Sequence, residues 1–328
     1  MDNNFKAWLL SQENKKTIAQ LKKINISDLM IEDTVVKVVS SCINYKDALA
    51  LTGKSPVVRR FPMIPGIDLS GIVIKSDNPF FKKGDNVFST GYGMGELHYG
   101  GLSEYARINS EWLLNIPEKF SYNDVMSIGT AGLTAMMCVI GIEESGVTPS
   151  MGEIIVTGAT GGVGTFAIMI LSKLGFSVVA STGKIQEEKH LIRLGANRVI
   201  DNEIFDGNPK LVDKEIWAGA IDVIGGNTLS HIITQTARGG AISVCGQIQG
   251  INLNTNIAPF ILRGIKLLGI DSAYCKKEKR ENAWSRLVEL IDLDLVKSIV
   301  TNIGIDEVLL ASNKIIEGNH KGRYIVSM

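Results

Sequence analysis

A glycine cluster near the middle of the chain has the composition of a phosphate-binding turn. The stretch "VTGATGGVGTFAIMILSKLGFSVVASTGK" covers positions 156–184 and contains the pattern Ala159-x-Gly161-x-x-Gly164. It lies between a strand-like run and a helix-like run, where glycines let the backbone approach a pyrophosphate and a helix N-terminus faces its charge. No Gly-Lys-Ser/Thr sequence follows, so the cluster is not a P-loop. It predicts a dinucleotide site, with a purely structural turn as the alternative.

The residues after the next strand indicate which dinucleotide is bound. Sites that prefer NAD place Asp or Glu there, to bond the ribose 2′-hydroxyl. This chain has Ser181, Thr182, Gly183 and Lys184 instead, and Arg198 lies downstream. Hydroxyls and cations suit a 2′-phosphate, which an acid would repel. We therefore expect NADPH, with a solvated turn lysine as the alternative role for Lys184.

The surrounding elements predict a two-domain α/β chain of 328 residues. In 1–124, short apolar runs bounded by glycines predict a β-rich, partly closed barrel, with Gly84 in a tight turn at positive φ. In 125–273, apolar strand runs alternate with helical stretches, which is typical of a parallel sheet covered on both faces. Segment 274–328 contains an amphipathic helix and a final strand. We expect it to complete the first domain.

Composition excludes several classes of protein. Lys plus Arg equals Asp plus Glu at 34 each, so no net field attracts nucleic acid or an anionic membrane. Four separated cysteines without CxxC spacing argue against a zinc ribbon or a disulfide framework and fit free thiols in a reducing compartment. The N-terminus lacks a signal-peptide core, and no uninterrupted apolar run reaches about 18 residues. We expect a cytoplasmic protein with a small-molecule substrate and no nucleic-acid or membrane partner.

Stretches along nearly the whole chain resemble the medium-chain dehydrogenase/reductase superfamily. They include "INYKDALALTGK", "FPMIPGIDLSGIV", "IGTAGLTAMMCV", "VTGATGGVG" and "WAGAIDVIGG". Together with "PFILRGIKLLGIDS", the first two are similar to a narrower branch, the acryloyl-CoA reductase (quinone oxidoreductase-like) group. The resemblance implies an α/β fold with a GroES-like β-rich catalytic domain and a Rossmann domain with a doubly wound parallel sheet. It also implies NADPH-dependent reduction of acryloyl-CoA to propionyl-CoA, and a homodimer.

The chain departs from zinc-dependent relatives at the metal ligands. Asn44 stands where those enzymes have a metal-binding Cys, and Gly66-Ile67-Asp68 stands where they have Gly-His-Glu. The four-cysteine structural zinc lobe is also missing from the sequence. An amide and an alkyl group do not replace a thiolate and an imidazole, so no metal is predicted. Without a Lewis acid, oxidation of a simple alcohol is not expected.

Tyr45 is the candidate catalytic residue. It follows a predicted strand, in the segment that carries active-site groups in this superfamily, and a phenol can donate a hydrogen bond to ligand or cofactor and relay a proton. A core or cofactor-packing tyrosine is the alternative. Asn44 and Asp47 are expected to hold the loop through hydrogen bonds to the backbone. Cys42 is expected to pack as a small apolar residue.

The resemblance implies further cofactor contacts. Besides Tyr45, they are Thr160, Gly161, Gly162 and Val163 in the phosphate turn, Thr182, Gly183, Lys184 and Arg198 around the 2′-phosphate, Gln247, Ile261 and Ser272 near the nicotinamide, and Asn319 in "GNHKGR". Arg59 and Arg60 could meet the phosphates of a CoA substrate or form a solvated basic pair.

Two other functions stay open at this point. One is an NADPH-dependent quinone or other α,β-unsaturated carbonyl reductase, which could use the same cofactor site. The other is a non-catalytic NADPH-binding redox sensor, because fold does not fix function. The sequence does not select the substrate among enoyl thioesters, enones and quinones, and it does not identify the pathway.

Overall fold

The computed structural model describes residues 4–328, which form two compact units. The first segment contains β1 (Asn4–Glu13), β2 (Lys16–Asn25), β3 (Thr34–Ile43), α1 (Tyr45–Thr52), β4 (Asp68–Ser76), β5 (Asn86–Thr90), β6 (Tyr105–Ile108) and β7 (Leu114–Asn115). The central segment contains α2 (Tyr122–Glu144), β8 (Glu153–Val156), α3 (Gly162–Lys173), β9 (Ser177–Thr182), α4 (Glu188–Arg193), β10 (Arg198–Asp201), β11 (Trp217–Asp222), α5 (Gly226–Gln235), β12 (Thr236–Val244), α6 (Ala258–Arg263), β13 (Lys266–Gly269) and α7 (Lys277–Leu290). The last segment contains α8 (Leu293–Lys297), β14 (Val300–Gly304), α9 (Val308–Ile316) and β15 (Arg323–Ser327).

A seven-stranded sheet is the framework of the first unit. Its strand order is β14-β15-β3-β4-β5-β7, with β6 paired to β3, while β1 and β2 form a separate antiparallel hairpin. Alternate residues of β3 face the core, because Val36 and Val38 are buried in one cluster with Leu69 of β4. Gly84 takes a φ of 98° in the turn between β4 and β5, as predicted.

The last strand of the chain lies next to β3. β15 is antiparallel to β3, with Tyr324 opposite Ile43, and parallel to β14. If this register is continued by one residue, Arg323 is opposite Asn44, which leads into α1. The C-terminal strand therefore delivers a basic side chain to the start of the segment that carries Tyr45.

Six parallel strands form the sheet of the second unit, in the order β10-β9-β8-β11-β12-β13. In chain order this is 3-2-1-4-5-6, the Rossmann arrangement, whose ligands bind at the carboxyl ends of the strands. The apolar runs predicted as strands coincide with these six strands, and Ile155, Val179 and Ile242 are fully buried. Val156 of β8 pairs with Ala180 of β9, so the turns after these two strands lie side by side.

The unit boundaries differ from those expected from the sequence. The first unit ends at Thr130 rather than at 124, and it resumes at Leu293 rather than at 274. Helix α7 belongs to the second unit, where its Arg286 forms a bidentate ion pair with Glu143 of α2. Amphipathic periodicity shows that a helix has a buried face, but it does not show which unit covers that face.

Helix α2 is the one helix within residues 4–328 that is long and apolar enough to cross a membrane. Most of it is buried in the fold, and Gly129 interrupts its helical geometry with a φ of 49°. Its start is capped, because Asp124 accepts hydrogen bonds from the backbone and the hydroxyl of Ser121. These are the properties of a core helix.

Candidate functional site

The turn between β8 and α3 has the geometry of a phosphate cradle. Gly161 is the N-cap of α3, and Gly158 takes a φ of 56°. A Cβ at Gly164 would lie 2.4 Å from the carbonyl oxygen of Gly158, so this close approach of helix and turn requires glycine. The first N–H groups of an α-helix have no carbonyl partner within it, and those of Gly162 and Val163 are suited to phosphate oxygens.

Thr160 and Thr182 join this turn to the end of β9. Both residues are buried, and their hydroxyl oxygens are 3.4 Å apart. Thr182 Oγ1 also accepts a hydrogen bond of 3.1 Å from the backbone N–H of Lys184, which fixes the bend at Gly183. The structure therefore brings the predicted phosphate-turn residues and three of the predicted 2′-phosphate residues to one edge of the sheet.

Arg198 lies towards the amino ends of the strands, away from Thr182 and Lys184, and this position does not favour its predicted contact with the 2′-phosphate. It opens β10 and is level with Val179, three residues before Thr182 along β9. Its guanidinium makes two hydrogen bonds to Glu153, at 2.9 and 2.6 Å. This bonding raises the pKa of Arg198 and lowers the pKa of Glu153. Ligands of a parallel sheet bind where strands end, and Arg198 stands where one begins.

Asn202 is the polar side chain at the carboxyl end of β10, the end of the strand at which a ligand would bind. It directly follows the strand, and its Oδ1 lies 3.1 Å from the position that a Cβ on Gly183 would take. The Ser181 hydroxyl, two residues before Gly183 on β9, is buried and has no hydrogen-bond partner within residues 4–328. Asn202 was missed from the sequence, although the rule that identified Lys184, a polar residue just after a strand, applies to it equally.

Gln247, Ile261 and Ser272 also lie in the second unit, but they do not join the phosphate cluster. Gln247 is exposed and follows β12, Ile261 is 69% exposed on α6, and the Ser272 hydroxyl is 2.6 Å from that of Thr134 on α2. Their contacts with a cofactor stay predictions.

A buried polar cluster, here called the Asp68 network, joins the ends of β3, β4 and β15. It consists of Cys42, Asn44, Asp68, Thr130 and Arg323. The Asp68 carboxylate accepts hydrogen bonds from Asn44 Nδ2 at 2.8 Å, from Cys42 Sγ at 3.0 Å, and from the backbone N–H of Thr130 at 2.9 Å. Arg323 donates to Asn44 Oδ1 at 2.8 Å and to Cys42 Sγ at 3.0 Å, and its guanidinium lies 3.9 Å from Asp68.

This network is a charge pair held away from water. Asp68 is 0% exposed and Arg323 is 3% exposed. Buried charges are tolerated when they are paired and their remaining hydrogen-bonding capacity is used, which is the case here. A Cβ at Gly129 would lie 2.8 Å from both Arg323 and Asp68, so the break in α2 also makes room for the pair.

Asp47 fixes the loop next to the network. Its carboxylate accepts hydrogen bonds from the backbone N–H groups of Asn44 and Ile67, both at 2.9 Å, as predicted for a loop-holding residue. Burial raises the pKa of Asp47 to about 6, because desolvation outweighs these hydrogen bonds. Burial and the neighbouring Asp68 also raise the pKa of the Cys42 thiol. Cys42 is therefore a hydrogen-bond donor in the network, which corrects its prediction as simple apolar packing.

Tyr45 is the first residue of α1 and follows Asn44 directly. It is 43% exposed, so it is not a core tyrosine. Because the network and Asp47 fix Asn44, the backbone that carries Tyr45 is fixed as well. The structure thus provides an accessible phenol on a rigid base.

The remaining predicted residues of the first unit have other partners. Arg59 forms an ion pair with Glu96 at 3.5 Å, and Lys46 is paired with the same carboxylate. Arg60 is exposed. Asn319 follows α9, with its amide 3.3 Å from the Glu317 carboxylate. Its contact with a cofactor stays a prediction.

The Asp68 network does not fit a zinc ion. Asn44 and Asp68 already accept hydrogen bonds from Arg323, Cys42 and Thr130. The guanidinium supplies a positive charge at this place and would repel a metal cation. Within residues 4–328, no group of three or more His, Cys, Asp or Glu side chains is arranged to hold a metal.

Arg323 is the main functional residue that sequence reasoning missed. Its partner Cys42 is 281 residues away along the chain, so no local spacing connects the two. The available signal was a charged residue at the start of the otherwise apolar strand "RYIVS", since buried arginines require partners.

Two family models match the two parts of the chain. Residues 31–118 match "Alcohol dehydrogenase GroES-like domain", and residues 162–292 match "Zinc-binding dehydrogenase". With the Rossmann strand order and the glycine turn, these matches define the class. The chain belongs to the medium-chain dehydrogenase/reductase superfamily of oxidoreductases, and the predicted GroES-like and Rossmann folds are confirmed.

Full-length relatives narrow the placement within this superfamily. The protein named "Probable acrylyl-CoA reductase AcuI" of Escherichia coli (strain K12) is 42% identical over 324 residues, which are 99% of this chain and 100% of that protein. A crystal structure of YhdH from E. coli K-12 with bound NADPH has a TM-score of 0.96 and 42% identity, covering 98% of this chain and 99% of that chain. One of Bacillus subtilis yhfP with NAD bound has a TM-score of 0.95 and 39% identity, covering 99% of each chain. The chain belongs to the acrylyl-CoA reductase and quinone oxidoreductase-like branch.

Proposed function

We propose that this protein reduces the C=C bond of acryloyl-CoA with NADPH, giving propionyl-CoA, without a metal ion. The observation that carries the proposal is the full-length similarity to AcuI. In addition, the turn after β9, where the nucleotide would bind, has the sequence Thr182-Gly183-Lys184. A hydroxyl and a cation in this turn favour a 2′-phosphate over a free 2′-hydroxyl.

The residues of the second unit fit NADPH. In the turn at Gly161, the backbone N–H groups of Gly162 and Val163 would hold the pyrophosphate, since Gly164 allows the close approach that this requires. Thr182, Lys184 and the newly identified Asn202 would surround the 2′-phosphate. When bound, NADPH supplies the hydride for the β-carbon of the substrate.

The chain's own contribution to the chemistry is a hydrogen-bond donor and a proton route. Hydride addition to an α,β-unsaturated thioester develops negative charge on the carbonyl oxygen, and the α-carbon then needs a proton. Tyr45 would donate the hydrogen bond or relay the proton, because its accessible hydroxyl stands on a fixed helix start. The Asp68 network keeps Asn44 in place, so Tyr45 would be positioned without a metal.

The test is a steady-state comparison of NADPH oxidation with acryloyl-CoA, crotonyl-CoA, a benzoquinone and an enone. We expect the highest kcat/KM for acryloyl-CoA. A higher value for the quinone or the enone would assign the protein to the alternative reductase function. Tight NADPH binding with no oxidation by any acceptor would indicate the sensor.

A homodimer is a further part of the proposal. Strand β13 is an edge strand of the parallel sheet, and the preceding α6 with its N-cap exposes Ile257, Ile261 and Leu262 at 69%, 69% and 56%. An unpaired edge beside exposed apolar side chains favours association with a second copy. Light scattering should give twice the chain mass, and Ile261→Lys should shift the protein towards the monomer.

The cytoplasm is the proposed location. All four cysteines are free, which suits a reducing compartment. Cell fractionation tests this directly.

A further inference from the structure

We propose that a cavity beside α1 binds the phosphate groups of the coenzyme A part of the substrate. This inference rests on the proposed function. The cavity, of about 220 Å³, lies between the turn of the β1–β2 hairpin and the C-terminal end of α1. Its polar lining comes from Gln12, Lys15, Thr17, Lys54 and Ser55, above apolar side chains that include Phe61. The volume is below that of a typical pocket for a whole ligand, and it suits a phosphate-bearing fragment.

The cavity carries positive charge. None of its lining residues is Asp or Glu, and within the described part of the chain neither Lys15 nor Lys54 forms an ion pair. Lys46 and Arg59, in contrast, are paired with Glu96. The C-terminal end of α1 contributes about half a negative charge, which two full positive charges outweigh. Ammonium groups beside hydroxyls are suited to phosphate oxygens.

The backbone at the hairpin turn indicates that the side chain of Lys15 is used. Asn14 and Lys15 have φ values of 48° and 64°, both in the left-handed region. Two-residue hairpin turns of this kind prefer Asn-Gly, so a lysine at the second position is strained. Strain at an accessible charged residue is typical of a functional position.

Short contacts hold the walls of the cavity together. Leu10 and Met63 exchange two backbone hydrogen bonds, at 2.7 and 3.0 Å, which tie β1 to the segment after Phe61. A Cβ at Gly53 would lie 3.0 Å from Thr17 Cβ, so α1 and the hairpin are in close contact. A preformed cavity loses little freedom when a ligand binds.

One face of α1 connects the cavity with Tyr45. Tyr45, Leu49 and Gly53 are spaced at i, i+4 and i+8, and all three are at least partly exposed. From Tyr45 to Gly53 the helix rises about 12 Å. A pantetheine arm can span this distance, with its methylenes against Leu49, so a thioester at Tyr45 would place its nucleotide phosphates at Lys15 and Lys54.

The test compares two double variants of the same hairpin region. Lys15→Ala/Lys54→Ala removes both cavity charges, and Lys22→Ala/Lys23→Ala removes two exposed charges of β2 that do not line the cavity. The substrates are acryloyl-CoA and acryloyl-N-acetylcysteamine, which keeps the thioester and lacks the nucleotide. Adenosine 3′,5′-bisphosphate, which lacks the thioester, is titrated into each protein and used as an inhibitor.

We expect Lys15→Ala/Lys54→Ala to raise the KM for acryloyl-CoA at least tenfold, with no comparable rise for the truncated thioester or in the control variant. The bisphosphate should compete with acryloyl-CoA, and its Kd should rise in the same variant. An unchanged KM for acryloyl-CoA, or an equal rise for both thioesters, would overturn the proposal.

The titration separates this inference from the proposed function. If no thioester is reduced, the proposed function fails, and the cavity is judged by binding alone. Bisphosphate binding that is lost in Lys15→Ala/Lys54→Ala then supports a nucleotide-phosphate site. Absence of binding to the unmodified protein, or binding that both variants retain, overturns the site as well.

Discussion

The Asp68 network and the glycine turn position functional groups in opposite ways. In the network, side chains from distant segments use up one another's hydrogen-bonding capacity, and Asp68 and Arg323 are almost entirely buried. In the turn, consecutive residues around Gly161 leave backbone N–H groups without carbonyl partners, and a buried Ser181 hydroxyl nearby has no partner among the described residues. The network is complete without a ligand, whereas the turn presents donors that the proposed NADPH would use.

The difference shows how the loop at Asn44 is held by side chains of the protein alone. The Arg323 guanidinium is the cation that pairs with Asp68 and holds Asn44. This cation belongs to the protein, so no ion has to be bound. It reaches the loop on β15, a strand from the other end of the chain.

The largest effect is expected when the network loses its cation. Arg323→Met would leave Asp68 buried without its charge partner, so the free energy of unfolding should fall by about 3–5 kcal/mol. Urea denaturation measures this. Arg286→Met is the matched control, because its pair with Glu143 is partly exposed and should contribute about 1 kcal/mol or less. Equal losses in the two variants would contradict the network's role.

The pH dependence of stability tests the same region. Asp47 has a pKa of about 6 in the folded protein against an ordinary value of 3.8. Between these values the folded state holds the proton that the unfolded state has lost, so stability should fall as pH rises from about 4 to 6, by up to about 3 kcal/mol. Asp47→Asn should flatten that part of the curve. A wild-type slope in the variant would show that other groups cause it.

Removing the Tyr45 hydroxyl separates positioning from chemistry. Tyr45→Phe should lower kcat at least about tenfold and leave stability unchanged, because the ring is partly exposed and only the donor is lost. Stopped-flow NADPH oxidation and thermal unfolding measure the two properties. Tyr122→Phe, whose hydroxyl bonds Asn86, is the control and should keep the wild-type rate. An unaltered rate in Tyr45→Phe would return this residue to a packing role.

The smallest predicted effect concerns Lys184, which follows β9 and would contact the 2′-phosphate. Lys184→Ala should raise the KM for NADPH several-fold and leave the KM for NADH nearly unchanged, because only NADPH carries the 2′-phosphate. Arg198→Ala should alter neither value, since Arg198 is bonded to Glu153. If Arg198→Ala changes the preference for NADPH over NADH and Lys184→Ala does not, Arg198 rather than Lys184 contacts the 2′-phosphate.

Prediction from the sequence succeeded for the two folds and for NADPH, because their signals lie in consecutive residues. The glycine turn and the missing acid after β9 could be identified from short stretches around Gly161 and Lys184. It did not show that Arg198 lies at the amino end of β10, because sequence distance does not show at which end of a strand a residue lies. It also failed for α7, whose partner Glu143 lies in a helix far upstream.

The sequence by itself determined the two kinds of fold, the dinucleotide turn and the loss of the zinc ligands, because strand periodicity, glycine conformation and ligand chemistry are local properties. Only the tertiary structure decided that Arg323 is the cation at Asp68, that Asn202 rather than Arg198 lies at the carboxyl end of β10, and that Lys15 and Lys54 share one cavity. These facts depend on strand register and helix packing between segments far apart in the chain. Such contacts form through the folding of the whole chain, and no short stretch encodes them.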